Sequence, residues 1–304
     1  MRVAVTGASG RLGRALVATL EESPFTGPLG PTAWGRPEFD LDSPDGAILL
    51  LQRDRPEVVV HAAAWTDVDG CAREPETAHK RNAVAPGLLA TYCAAAGVDL
   101  ILVSTNEVFD GRRVDDRGYA PSDPPNPINA YGRSKLDGER LAGDAFRDAG
   151  PGGPHLGIVR TAWLFGPPGR DFPSKILTAA EAAASRGQPL KVVADETGSP
   201  TYASDLAEGI VELLGADGVH GIHHLVNAGR ASRSGWAREL LRQAGVQIEV
   251  EDVPSSTWQR ASTPPAWAVL ESTPLRSGEP LRPWQDALAD YVPWLRRQQA
   301  AAAR

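Results

Sequence analysis

The sequence predicts a doubly wound α/β fold, a parallel sheet covered by helices on both faces. Short, nearly continuous apolar runs recur between helical stretches, as at residues 58–63 and 100–104. Strands buried on both faces read this way, whereas half-exposed antiparallel strands alternate. The first such run, residues 3–6, leads directly into a glycine-rich turn and a helical stretch. The long Ala-rich stretch 77–96 stops at Gly97, as a helix does.

Taken in order, residues 3–6 form the first strand and residues 12–20 a helix. Residues 32–34 make a second strand, 48–53 a helix, 58–63 a third strand, 77–96 a helix and 100–104 a fourth strand. Residues 119–129 carry four prolines, which excludes a helix or a central strand and leaves a loop that sets up a helix starting near Tyr131. Residues 156–161 and 223–226 read as later strands. Beyond residue 161 the alternation becomes irregular, broken by Pro167, Pro168, Pro173, Pro189, Pro200 and Pro254. The expected division is a dinucleotide-binding part, residues 1–162, and a smaller substrate lobe, residues 163–304, interleaved with the last strands. The tail from Gln298 reads as a fraying helix end.

The chain has 304 residues, 42% hydrophobic and 23% charged, enough apolar material for a sizeable core. Its net charge of −7 argues against a nucleic-acid surface, which needs clustered basic residues. The pairs Arg112-Arg113 and Arg296-Arg297 read as solvated charge. Two cysteines, Cys71 and Cys93, make no disulfide framework and suit a reducing compartment. A strand already under way at residue 2 leaves no space for a signal peptide, and no apolar run approaches the roughly 20 residues that span a bilayer. The expectation is a cytoplasmic protein without nucleic-acid or membrane partners. A homodimer is admitted, since the sequence leaves the oligomeric state open.

Gly7-Ala-Ser-Gly10-Arg-Leu-Gly13 follows a strand and opens a helix, and that context gives the glycines their meaning. Gly7 allows the tight turn, Gly10 lets backbone approach a pyrophosphate, and Gly13 lets helix pack on sheet. The helix N-terminus then offers free N–H groups to the phosphates, and Ser9, Gly10, Arg11, Leu12 and Gly13 are expected to bind the cofactor. After the second strand, Trp34-Gly35-Arg36 stands where a carboxylate would bind a ribose 2′-hydroxyl. Arg36, with Arg11 as a second cation, therefore points to NADP(H), with NAD(H) as the alternative. Asp40 and Leu41 are expected near the adenine. Ala62, Ala63 and Ala64 form a strip of close approach beside the cofactor.

Tyr131-Gly-Arg-Ser-Lys135 opens the helix after the proline loop, which puts both side chains on one face. A neighbouring ammonium is expected to lower the phenol's pKa from its ordinary value near 10 and so make it an acid–base group. Thr105, at the end of a central strand, can polarise the carbonyl oxygen that Tyr131 protonates, whereas alternation turns Ser104 away. His61, Asp67 and Asp69 match no transition-metal spacing, so no metal is expected. His223 and His224 belong beside a late strand, without chemistry.

These residues resemble the dTDP-4-dehydrorhamnose reductase family of extended short-chain dehydrogenases/reductases, Rossmann-type enzymes, over roughly residues 1–290. The resemblance rests on the glycine loop, His61-Ala-Ala-Ala-Trp-Thr-Asp-Val-Asp69, Asn82-Ala83 and Ser104-Thr105-Asn-Glu-Val-Phe-Asp-Gly111. It continues in the Tyr131/Lys135 motif, Arg160-Thr-Ala-Trp-Leu-Phe-Gly166 and Gly198-Ser-Pro-Thr-Tyr202. It implies hydride transfer from NAD(P)H to C4 of a dTDP-linked 4-keto-6-deoxy sugar, with Tyr131 donating the proton and Thr105 as the catalytic hydroxyl. It also places Thr66 and Val68 near sugar and nicotinamide, Trp163 beside the substrate, Arg160 and Thr161 after the strand by the nicotinamide, and Thr201 near the substrate lobe. One departure stands out. The family usually reads Ser-Thr-Asp-Tyr-Val-Phe, where this chain has Asn106 and Glu107, two positions that help hold the sugar. That departure bears on the sugar accepted and on product stereochemistry. A cofactor-binding regulatory subunit and a nucleotide-sugar epimerase or dehydratase are the alternatives. The intact Thr105, Tyr131 and Lys135 speak against the first, and Glu107 keeps the second open.

Overall fold

The computed structural model describes residues 1–24, 26, 27, 30–215 and 220–302. Its centre is a six-stranded, all-parallel sheet. The strands β1 (Val3–Thr6), β2 (Thr32–Trp34), β3 (Val58–His61), β4 (Asp99–Thr105) and β5 (Leu156–Thr161) are joined by a sixth, Gly221–His224. Their spatial order is Gly221–His224, β5, β4, β3, β1, β2. The chain runs outward in both directions from β1, so a crevice opens at the carboxyl ends of β1 and β3.

The continuous apolar runs are explained by burial on both faces. Val3, Val5, Val58, Val60 and Ile101 pack beneath helices α1 (Arg11–Glu21) and α8 (Ala203–Gly215). Ala4, Val59, Leu100 and Leu102 face the opposite layer, where Leu50, Leu51, Leu89 and Cys93 come from α2 (Ala47–Asp54) and α5 (Ala85–Ala96). Two elements beyond residue 163 thus serve the sheet: α8 covers one face, and Gly221–His224 pairs with β5. A separate core joins α7 (Phe172–Ala184), α9 (Arg233–Ala244) and α10 (Trp284–Ala302) through Ile176, Leu177, Trp236, Leu240, Leu288 and Tyr291.

Two expectations need correction. The helix expected over 77–96 is broken into α4 (Pro75–His79), a π-helical turn (Lys80–Val84) and α5. Pro86 has no N–H to donate back to Asn82, and the ladder widens there. The last strand is Gly221–His224 rather than 223–226; Leu225 instead donates its N–H to Arg160 O beyond the ladder. The proline-rich stretch 119–129 is a loop with a single bridge, at Tyr119. α10 extends through the expected fraying tail to Ala302; residues 303 and 304 lie outside the described residues.

The glycine loop is tight for a packing reason. Gly7 has φ +66°, and a Cβ there would lie 2.8 Å from Ala63 N on the neighbouring strand end. A Cβ on Gly13 would overlap the Gly7 carbonyl. Gly13→Ala is therefore expected to cost about 1–3 kcal/mol through overpacking, read as a lowered midpoint in urea unfolding, with weakened dinucleotide binding in the folded fraction.

Candidate active site

Thr6 ends β1; Gly7 N donates to Trp34 O at 3.1 Å and Thr6 Oγ1 accepts from Ala63 N at 3.2 Å, so the turn is anchored to both neighbouring strand ends. Gly10 caps α1 with backbone alone, accepting no side-chain hydrogen bond, which leaves the first-turn N–H groups pointing into the crevice. A groove of about 250 Å³ opens there. Gly7, Ser9 and Gly10 form one side of it, and Ala62, Ala63 and Ala64 the other. Arg36, Phe39, Asp40 and Leu41 close its far end. Arg36 forms no ion pair among the described residues. Arg81, by contrast, is fully engaged: its guanidinium is bidentate to Asp42 at 2.8 and 2.7 Å and lies 5.2 Å from the Trp65 ring centroid.

Arg11 goes elsewhere. Its Nε donates to Gly166 O at 3.1 Å and its Nη2 to Gly169 O at 2.6 Å, with Asp171 3.8 Å away. The residue is a strut from the first turn of α1 to the loop before α7, and it lines a second, larger cavity instead of the groove. It is thus not placed to select a 2′-phosphate.

That cavity, about 440 Å³, shares Gly10, Ala62 and Ala64 with the groove. Thr66, Val68, Thr105, Asn106, Glu107, Tyr131, Lys135 and Trp163 all line it. The sequence brings them together by local devices. Asn129 caps α6 (Ala130–Asp148), its Oδ1 accepting from Gly132 N at 2.8 Å, and so fixes where the helix starts. Gly132 abuts the Glu107 carbonyl so closely that a Cβ would overlap it. Thr105 caps the short turn Asn106–Val108, its Oγ1 accepting from Glu107 N at 3.2 Å and donating to Asn106 Oδ1 at 3.3 Å, and its hydroxyl lies by the Tyr131 phenol, favouring the ionised form. Ser104, as alternation predicts, turns to the helix side and donates to Glu139 Oε1 at 2.5 Å. Asn82, in the π turn, holds the backbone of Trp65 at 2.8 and 3.0 Å and reaches Ser134 Oγ on α6 at 3.2 Å.

The electrostatics differ from the expectation. Lys135 Nζ donates to Val103 O at 2.8 Å, back toward β4. Burial pushes its pKa down to about 8, against the supporting charge of Glu139 one turn along the same helix. Glu139 itself is buried and takes two hydrogen bonds from Arg160, at 3.0 and 2.7 Å. Tyr131 is raised above its ordinary value, chiefly by burial, with Glu107 and Cys71 adding to the rise and the Thr105 hydroxyl opposing it. The expected lowering by the ammonium is absent: desolvation sets the direction, and Nζ is turned to the Val103 carbonyl. At neutral pH the phenol therefore keeps its proton.

Thr201 is also corrected. It is fully buried, its Oγ1 donates to Ser199 O at 3.1 Å, and it does not line the cavity. It acts one step back: Thr201–Tyr202 pairs with Leu164–Phe165, and Thr201 N donates to Trp163 O. Trp163 itself has φ +42° and stacks on Trp236, and a Cβ on Gly198 would lie 2.5 Å from its ring. His61 is neutral and structural, its pKa pushed to about 3 by burial and its Nδ1 2.9 Å from Thr6 Oγ1.

Sequence reasoning missed Arg233, Phe172 and Trp236, which complete the cavity wall from the lobe. Arg233 lies 3.5 Å from the Trp163 ring centroid and pairs with Glu196 at 3.3 Å. No local motif marks these residues; they reach the site only through the packing of α7 and α9.

The family model described as the RmlD substrate binding domain matches residues 1–297. The dTDP-4-dehydrorhamnose reductase of Mycobacterium tuberculosis (strain ATCC 25618 / H37Rv) is 37% identical over 296 residues, 95% of this chain and 91% of its own length. The chain belongs to the dTDP-4-dehydrorhamnose reductase family. A probable dTDP-4,6-dihydroxy-2-methyloxan-3-one 4-ketoreductase of Streptomyces antibioticus is also 37% identical, over 96% of this chain and 95% of its own. Among solved structures, the dTDP-4-dehydrorhamnose reductase of Bacillus anthracis str. Ames in complex with NADP superposes with a TM-score of 0.84 at 29% identity, covering 95% of this chain and 98% of that one. The Rossmann-type fold read from the sequence is thus the fold of this reductase family.

The Lys135 environment sets a pH dependence for a family member of this kind. The ammonium is present below about pH 8 and is lost above it, so kcat/KM is expected to fall as pH rises through that value. Glu139→Gln removes the anion that supports the charge and should move the fall to lower pH. A flat pH–rate profile across this region in both proteins would remove the lysine's charge from the chemistry.

Proposed function

We propose that this protein reduces the 4-keto group of a nucleotide-linked deoxysugar, with NADPH as the preferred reductant and dTDP as the nucleotide. The observation that carries the reading is the continuity of the two clefts. The groove beside the glycine loop runs through Gly10, Ala62 and Ala64 into the cavity where Thr105, Tyr131 and Lys135 converge. The residues present fit a dinucleotide. Uncapped amides of the α1 first turn suit a pyrophosphate, the Gly7–Ala63 approach leaves space only for bare backbone, and Arg36, which makes no ion pair among the described residues, suits a 2′-phosphate. When bound, the cofactor supplies the hydride.

The chain's own residues supply the rest. Tyr131, held protonated by its buried setting, gives its proton to the oxygen as the carbonyl carbon is reduced. Thr105, in the same cavity wall, offers its hydroxyl to orient that oxygen. Lys135 places a buried positive charge beneath the site, where developing negative charge on the oxygen is stabilised most strongly. A third cleft, about 420 Å³, joins the cavity through Phe172 and Arg233 and carries Lys175, Lys191 and Arg260. It suits the diphosphate and base of the substrate. Cys71 and Cys93 are buried free thiols, which suits a cytoplasmic setting.

The test mixes the protein with NADPH and a panel of 4-keto nucleotide sugars and follows the nicotinamide absorbance. Tyr131→Phe is expected to bind NADPH normally and to lose about 10²–10⁴ in kcat; near-normal turnover would refute the mechanism. Arg36→Ala is expected to weaken NADPH about 10- to 100-fold, the worth of a charged hydrogen bond, while leaving NADH almost unchanged. Equal weakening of both would remove Arg36 from cofactor selection.

A further inference from the structure

Reduction requires one acid and one hydride, and Glu107 supplies neither. Yet this carboxyl lies in the wall of the same cavity, two residues after Thr105. Its Oε2 accepts from Asn129 Nδ2 at 2.6 Å, and Asn129 is the residue whose other amide atom caps the helix carrying Tyr131. A single side chain thus holds both the carboxyl and the start of the helix that bears the phenol. Oε1 takes no hydrogen bond among the described residues. Burial raises the carboxyl's pKa; Arg233 and Arg260 favour its charge, and Glu196 opposes it.

A carbonyl flanked by a proton donor at its oxygen and a carboxylate beside it is arranged for enolisation. We propose that Glu107 and Tyr131 exchange the hydrogen on a carbon adjacent to the substrate's carbonyl with solvent, a second activity of this cavity that consumes no nicotinamide. Glu107 carboxylate takes the proton from that carbon. The C–H electron pair becomes a C=C bond, and the carbonyl π pair moves to oxygen, which receives the Tyr131 proton. The carboxylic acid then trades its proton with water through the open cavity and returns one to carbon, while the enol proton goes back to the phenolate. Nothing is oxidised or reduced overall. The proposal rests on the 4-keto sugar reading of the site.

The experiment incubates wild-type protein with a 4-keto nucleotide sugar in D2O without NADPH and follows deuterium in the sugar by mass spectrometry, with NMR to locate it. NADPH is then added to the same sample to measure reduction. Expected is the gain of deuterium on a carbon next to C4, faster than in buffer, with Glu107→Gln slowing it by at least about 10²-fold and lowering the ratio of exchange to reduction. NADPH binding by the variant reports that it is folded. Reduction of the sugar by wild type without deuterium gain, or equal gain with Glu107→Gln, overturns the proposal and leaves the reductase reading intact. A protein that oxidises no NADPH with any 4-keto sugar overturns that reading and this inference with it.

Discussion

A carboxylate sealed beneath the central strands organises this molecule. Glu139, almost wholly buried, receives two hydrogen bonds from the equally buried Arg160 and one from Ser104, and its field sustains the charge on Lys135. Burying a pair of ions is costly, and its yield is definition more than stability. The four residues come from three elements: Ser104 from β4, Arg160 from β5, and Glu139 and Lys135 from α6. The register of these three elements is therefore set by one charge balance, and the tyrosine one turn before Lys135 inherits its position from it.

The buried setting also explains a chemical asymmetry. A tyrosine made easily ionisable suits an enzyme that removes a proton from an alcohol. Here the phenol is held above its ordinary pKa, so the resting protein is loaded with the proton that a ketone reduction consumes. Lys135 provides positive potential without being spent on the phenol, since its hydrogen bond runs to Val103 O.

Much of this was legible because the signals are local. Apolar runs buried on two faces, three glycines between strand and helix, and Tyr131 four residues before Lys135 each state their structure within a few residues. What escaped depends on distant partners. Arg11 looked like a phosphate ligand by position, but its reach to Gly166 and Gly169 is set by a loop some 155 residues away. Thr201 belongs to a resembling motif, yet a two-residue ladder turns its hydroxyl into the protein. The break in the 77–96 helix did have a local sign in Pro86, outweighed by the alanine content around it. Arg233 reaches the cavity only through the packing of the lobe helices, which no periodicity reports.

The strut formed by Arg11 has a mechanical corollary. The first turn of α1 is tied to the loop before α7 by one guanidinium, at 3.1 and 2.6 Å from the Gly166 and Gly169 oxygens. Since Arg11 is also in the wall of the substrate cavity, one side chain couples that wall, the glycine turn and the entry to α7, and a shift in any of them is transmitted to the other two.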